Sequence, residues 1–300
     1  MKSINRKIHV LSDFSFNECL WFLNRNFDDC MHATGPDFIR KALLINNQEV
    51  LLEIRFENQT LLIDTLYGDW DHNNEQLILQ FVKDWLEPQR DISVFYEKLR
   101  QLPALSYMTQ SFAGLRLVGI PDLFEALIWS IIGQQINLPF AYKLKRRLVE
   151  KYGRAILYQN SNYYIFPTPQ CLAEASIEDL RGMQFSEKKA EYVIGLAIKF
   201  AKEEMSKPLL QSLPTVSAQQ KALTSIRGIG IWTANYALMK SLRVPTCIPY
   251  GDAGLLNALI RHQLIDNKTD IAGLNALFQH FPNWESYLVF YLWRSLAPLP

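Results

Sequence analysis

The stretch best equipped for chemistry reads Leu223-Thr224-Ser225-Ile226-Arg227-Gly228-Ile229-Gly230-Ile231-Trp232-Thr233-Ala234-Asn235-Tyr236. A helix should end near Ile226, two glycines turn the chain tightly, and a second helix run over Trp232–Leu242. Glycine enters conformations closed to other residues and brings backbone N–H groups to the surface. The second helix begins there with free N–H groups and the positive end of its dipole. Such a place binds a phosphate without reading a base. Trp232 and Tyr236 stand at i and i+4 and so project from one helix face. A bare Gly-x-Gly would fit an ordinary helix–turn–helix connection equally well, and aromatics at helical spacing more often fill a core.

Other chemistries are poorly served. Asp69-Trp70-Asp71-His72-Asn73 begins like a calcium loop, but Asn74 replaces the required glycine and Gln80 the closing glutamate. There is no His-Glu-x-x-His, no Gly-x-Ser-x-Gly, no phosphate-binding P-loop and no complete Gly-x-Gly-x-x-Gly. Cys19, Cys30, Cys171 and Cys247 lack zinc or redox spacing and read as reduced thiols of a cytoplasmic protein. The longest apolar runs, such as Leu288–Trp293, are too short to span a bilayer, and no signal peptide is visible. The 300 residues, 49% hydrophobic and 20% charged, exclude wholesale disorder. Their net charge of +1 conceals −5 over residues 1–100 and +6 over residues 101–300. The basic part is suited to a polyanion and the acidic part is not.

Around these residues the pattern changes near residue 90. Phe38–Ile45, Val50–Phe56 and Thr60–Leu66, separated by Asn46-Asn47 and Asn58-Gln59, predict a meander of antiparallel strands. Helices are expected at Phe14–Asn24 and at Glu75–Leu86, the latter ended by Pro88. Beyond residue 90 the periodicity is helical almost to the end. The expected helices are one opening at Asp122, then Phe140–Tyr152, Ile177–Leu180, Lys188–Lys202, one capped by Ser217 and ending near Ile226, Gly251–His262, Ile271–Phe278 and Trp284–Leu296. Asp122 with Glu125 forms a capping-box signature.

These segments together resemble the helix-hairpin-helix DNA glycosylase superfamily, and within it the 3-methyladenine DNA glycosylase II type. The resemblance is carried by Ile226-Arg227-Gly228-Ile229-Gly230 and by Pro249-Tyr250-Gly251-Asp252-Ala253-Gly254-Leu255. It is carried as well by the segment from Phe124 through Gly133-Gln134-Gln135-Ile136 and by Trp284-Glu285-Ser286-Tyr287. It is strong from about 120 to 296 and weak before 100.

The resemblance implies an α+β protein. A small N-terminal antiparallel α/β domain (1–100) would precede a mainly α-helical glycosylase core (101–300), with a cleft between two helical subdomains and the hairpin at 223–236. Asp252 would be the catalytic carboxylate, stabilising the positive charge that develops on the sugar as the base leaves. Trp232, Tyr236 and Trp284 match aromatic pocket positions, where electron-rich faces favour a cationic alkylated base. Ala253 departs from a relative that carries tyrosine there. The base must leave the duplex, and the family places its gap-filling wedge on the Gly133-Gln134-Gln135-Ile136 loop, where a relative has leucine in place of Gln135. Phosphate contacts would come from the Gly228 and Gly230 backbone and the Thr233 hydroxyl. The carbonyls of Thr224, Ile226 and Ile229 match a sodium or potassium site, and no other cofactor is implied.

The expected activity is monofunctional hydrolysis of the N-glycosidic bond of alkylated bases in double-stranded DNA, by a cytoplasmic monomer with no membrane partner. Trp232 stands where bifunctional glycosylase/lyases for oxidised bases carry their Schiff-base lysine, which opposes that alternative. Asp252 opposes a second alternative, a non-catalytic DNA-binding hairpin. A pure binder gains nothing from a carboxylate facing phosphates.

Overall fold

A computed structural model describes residues 6–25, 28–68 and 72–297. Asp69–Asp71, the start of the rejected calcium loop, lies outside them. Among the described residues no group of three or more His, Cys, Asp or Glu is placed to hold a metal ion, and no helix is long and apolar enough to cross a membrane.

The N-terminal strands are β1 (Arg6–His9), β2 (Ala33–Thr34), β3 (Phe38–Ile45), β4 (Gln48–Glu57) and β5 (Thr60–Tyr67), in the spatial order β1-β5-β4-β3-β2. All neighbours are antiparallel. The expected meander is present, extended by two edge strands too short to leave a pattern. Asn46, Asn47, Asn58 and Gln59 all take positive φ, as two-residue hairpin turns demand.

Alternation along β4 sends Val50, Leu52 and Ile54 into the main core and Leu51 to the opposite face. On that opposite face the structure adds strands to the mainly helical pattern expected after residue 90. The face is covered by a second hairpin, β6 (Arg154–Tyr158) and β7 (Ser161–Ile165), whose Ile156, Tyr163 and Ile165 pack on Ala42 and Leu51. Gln159-Asn160, both at positive φ, make its turn. The segment has β-branched and aromatic residues but only five residues a side, and its stability depends on the sheet it covers. Arg40 ties the layers, donating to Glu53 at 2.7 Å and to the Tyr163 hydroxyl at 2.8 Å.

The helices follow the predicted order with small shifts. Leu123–Gly133 is buried almost all round, with ten of its residues in the core. It is therefore a central helix rather than an amphipathic surface one. Asp122 caps it, accepting from Glu125 N at 2.8 Å. Glu125 does not complete a capping box, because its carboxylate faces Lys145 at 3.3 Å. The helix ending at the hairpin runs Val216–Thr224 and is capped by Thr215, not Ser217. Then come Ile231–Lys240, Ala253–Arg261, Ile271–Gln279 and Glu285–Ser295. Ile231–Lys240 packs on Leu123–Gly133, and Ala253–Arg261 packs on Glu285–Ser295.

Candidate active site

The hairpin between Val216–Thr224 and Ile231–Lys240 closes through Ile229 N to Ile226 O at 3.0 Å. Its two glycines serve different ends. Gly228 has φ +91°, and a Cβ there would lie 2.3 Å from Cγ of Tyr192. The turn itself requires that glycine. Gly230 is the N-cap of Ile231–Lys240 with φ −87°, and a Cβ there would meet nothing within 4 Å. Nothing inside the protein requires glycine at 230. Its bare backbone leaves the first-turn N–H groups open to an outside acceptor. An open groove runs past them, lined by Gln134, Tyr192, Arg227, Trp232 and the turn residues 224–230.

Asn235 joins this hairpin to the segment that carries Asp252. Its side chain accepts from Gln220 Nε2 and donates to Ile248 O, each at 2.7 Å. Four residues beyond Ile248, after Gly251 at φ +81°, Asp252 caps Ala253–Arg261. Its Oδ1 accepts from Leu255 N at 2.7 Å and from the indole Nε1 of Trp293 at 2.8 Å. Its Oδ2 accepts from Nε1 of Trp232 at 3.2 Å. Three N–H donors on three elements thus fix a carboxylate that stays partly exposed. A negative group held this way is oriented before any cation forms beside it.

The same two indoles form part of an aromatic wall. Trp232 stacks on Tyr236 at 5.6 Å and 24° between planes, and Tyr236 meets Trp293 at 6.2 Å. All three rings are only partly buried. The Tyr236 hydroxyl accepts from Trp129 Nε1 at 3.0 Å, and burial pushes its pKa upward, so the ring stays neutral. The arrangement is a partly exposed cluster of three aromatic rings around one fixed carboxylate, at the helix whose first turn borders the hairpin groove.

The structure brings Trp232, Tyr236, Asp252, Gly228 and Gly230 together. Trp284 stands elsewhere. It is 9% exposed, stacked on Phe95 at 5.7 Å, edge-on to Tyr287 at 5.3 Å, with the Arg90 guanidinium 4.6 Å above its ring. Thr233 is buried at 1% exposure, and its hydroxyl accepts from Gln134 Nε2 at 3.1 Å. Gln134 also donates to Gly228 O at 3.0 Å. Gln135 is exposed in a left-handed conformation, φ +57°. Thr224, Ile226 and Ile229 all border the hairpin groove, and Ile226 O already takes the Ile229 N–H.

Sequence reasoning missed Trp293 and Trp129. Both sit in apolar helical runs where an indole reads as core, and only the fold shows where each N–H points. It also missed Ser286, whose hydroxyl donates to Val244 O at 2.8 Å and accepts from Cys247 N at 3.2 Å. Ser286 thereby seats Glu285–Ser295, and with it Trp293, against the chain leading to Asp252.

Known proteins resemble this chain in sequence and in fold. Over 286 residues, 94% of each chain, the sequence is 35% identical to the DNA-3-methyladenine glycosylase of Bacillus subtilis (strain 168). The fold matches 3-methyladenine DNA glycosylase from Archaeoglobus fulgidus with a TM-score of 0.84, covering 96% of this chain and 97% of that one at 22% identity. It also matches Clostridium acetobutylicum 8-oxoguanine glycosylase/lyase in complex with double-stranded DNA, with a TM-score of 0.76, 97% of each chain and 15% identity. Residues 128–281, which include the loop at Gln134, the hairpin and Asp252, match the pattern of the HhH-GPD superfamily base excision DNA repair proteins, and the chain belongs to that superfamily.

Proposed function

We propose that this chain is a monofunctional DNA glycosylase that draws an alkylated base of the 3-methyladenine or 7-methylguanine type out of double-stranded DNA and hydrolyses its N-glycosidic bond, starting base excision repair. The observation that carries the reading is the partly exposed Asp252 carboxylate, fixed by the indoles of Trp232 and Trp293. An N-alkylated purine already carries positive charge, so it leaves readily and is attracted to aromatic faces. Asp252 offsets the charge that develops on the sugar, in a position set before the reaction. Trp232 and Tyr236 supply the aromatic faces, the hairpin backbone at Gly228 and Gly230 grips phosphate, and Gln135 fills the vacated stack. Trp284, packed on Phe95 and Tyr287, takes no direct part. The carbonyls of Thr224, Ile226 and Ile229 are neutral oxygen donors suited to a sodium or potassium ion, and the chemistry calls for no other cofactor. The site is complete within one chain, which supports a monomer acting on chromosomal DNA in the cytoplasm.

Lyase chemistry has no amine to use on the hairpin's second helix. The lysine of that helix, Lys240, is buried at 2% exposure with its Nζ donating to Val118 O. The test is incubation with alkylated duplex and identification of what is released. Free alkylated bases and an intact abasic strand are expected, and the absence of released base overturns the reading.

A further inference from the structure

We infer that Gln134 is a positioning residue that locks the loop bearing Gln135 to the hairpin, so that filling the gap in the duplex and gripping its backbone occur as one event. The inference rests on the glycosylase reading above.

The amide orientation is set by chemistry. Gly228 O can only accept, so the Gln134 atom facing it at 3.0 Å must be Nε2. The two hydrogens of that nitrogen go to Gly228 O and, at 3.1 Å, to Thr233 Oγ1. Only the carbonyl oxygen of the side chain remains for the groove that Gln134 borders. An oxygen cannot donate to a phosphate. Gln134 is therefore spent on holding the two elements together rather than on touching DNA.

The loop it anchors is short and pinned at both ends. Lys189 Nζ donates to Ile132 O at 2.7 Å before it, and Asn137 accepts from Phe140 N at 2.9 Å after it. Gln135 lies between them, exposed and at φ +57°. A non-glycine residue keeps that conformation only where its surroundings hold it. The bond at Gly228 O reaches the residue whose positive φ shapes the hairpin turn. A hairpin seated on phosphates thus fixes where the Gln135 side chain points.

The test uses full-length protein, Gln134→Ala and the near-isosteric Gln134→Met, with one alkylated base placed either in duplex or in the same strand alone. Single-turnover base release is measured on both, and 2-aminopurine beside the lesion reports unstacking. Release from duplex should fall by about ten-fold or more, as misplacement of a positioned group does, with a smaller 2-aminopurine signal. Release from the single strand should change by less than about two-fold, because no stack has to be filled. In a Gln135→Ala background most of the Gln134 effect should vanish. Equal losses on both substrates, full duplex activity, or independent losses in the double variant would overturn the inference. Wild-type protein that releases no base from either substrate would sink the glycosylase reading, and this inference with it.

Discussion

The indole N–H of Trp293 donates to Oδ1 of Asp252 at 2.8 Å, across 41 residues of sequence. The ring of Trp293 also meets Tyr236. One side chain therefore both orients the carboxylate and belongs to the aromatic cluster. Trp293→Phe separates the two roles by keeping an aromatic face and deleting the donor. A hydrogen bond to a charged group contributes about 1.5–3 kcal/mol. Single-turnover base release should fall by roughly ten-fold or more, with duplex affinity unchanged. An unaltered rate would mean that Leu255 N and Trp232 fix Asp252 without it.

Gly254 lies directly beneath this pair. A Cβ there would be 3.1 Å from Asp252 Oδ1 and 3.3 Å from Cδ1 of Trp293. Alanine normally favours a helix interior over glycine by about 1 kcal/mol. Gly254→Ala should nevertheless lower the rate of base release, because the carboxylate or the indole must yield a few tenths of an ångström. Single-turnover kinetics with a thermal melt on the same sample separates the two effects, and wild-type kinetics would contradict the tight seating.

The two hairpin glycines should respond oppositely. Gly228→Ala combines a positive φ with a clash against the Tyr192 ring, so it should destabilise the fold by about 1–3 kcal/mol in urea melts. Gly230→Ala has room and an ordinary φ. It should leave stability within about 0.5 kcal/mol while weakening binding to undamaged duplex. Unchanged duplex affinity in Gly230→Ala would remove that N-terminus from the interface.

Trp284 and Tyr236 make a second contrasting pair. Trp284→Ala opens a hole against Phe95 and should cost about 3–5 kcal/mol of stability, leaving the preference for cationic over neutral bases intact. Tyr236→Ala should reduce that preference, since the cation–π attraction is worth about 0.5–2 kcal/mol. The readout is the ratio of 7-methylguanine to hypoxanthine release. A preference lost with Trp284 and kept without Tyr236 would reverse the two roles.

Lys145 bridges the N-terminal part to the helical core, with Nζ 3.1 Å from Asp29 Oδ1 and 3.3 Å from Glu125 Oε1. Burial opposes ionisation of Asp29, but the Lys145 ammonium, His32 and the Met31 N–H together outweigh it and hold the carboxyl well below the usual range. A depressed carboxylate contributes stability that is present above its unfolded value, about 3.9, and is lost as pH falls through its folded value. Lys145→Met leaves Asp29 buried without its cation and should cost about 3–5 kcal/mol at pH 7. The deficit should shrink near pH 4, where Asp29 can take up a proton. Urea melts at the two pH values give the comparison, and an equal deficit at both would contradict the charge account.

What the sequence revealed and what it concealed divide along physical lines. The strand Phe38–Ile45 and the helix ends at Leu86 and Tyr152 were legible because period, turn residues and caps are local signals. The hairpin at 154–165 was not, since its apolar face is defined by the sheet it covers. Asp252 could be read from its motif, whereas Trp293 could not. Its run, Leu288–Trp293, is apolar throughout, and an indole N–H declares its partner only in three dimensions. The resemblance put Thr233 at a phosphate and Gln134 on the wedge loop, but the packing of Leu123–Gly133 on Ile231–Lys240 turns their polar atoms toward each other.

The central claim is that Asp252 stabilises a developing sugar cation, and Asp252→Asn tests it most directly. The substitution keeps the shape and an oxygen for Leu255 N and Trp293 Nε1, removes the charge, and turns an N–H toward Trp232. Single-turnover release from alkylated duplex should fall by about a hundred-fold or more, while duplex affinity holds or rises because a negative charge near phosphates is gone. The wild-type product should be an intact abasic strand that breaks only on alkali treatment. Near-normal base release by the Asn variant, in a protein that melts like the wild type, would contradict the account.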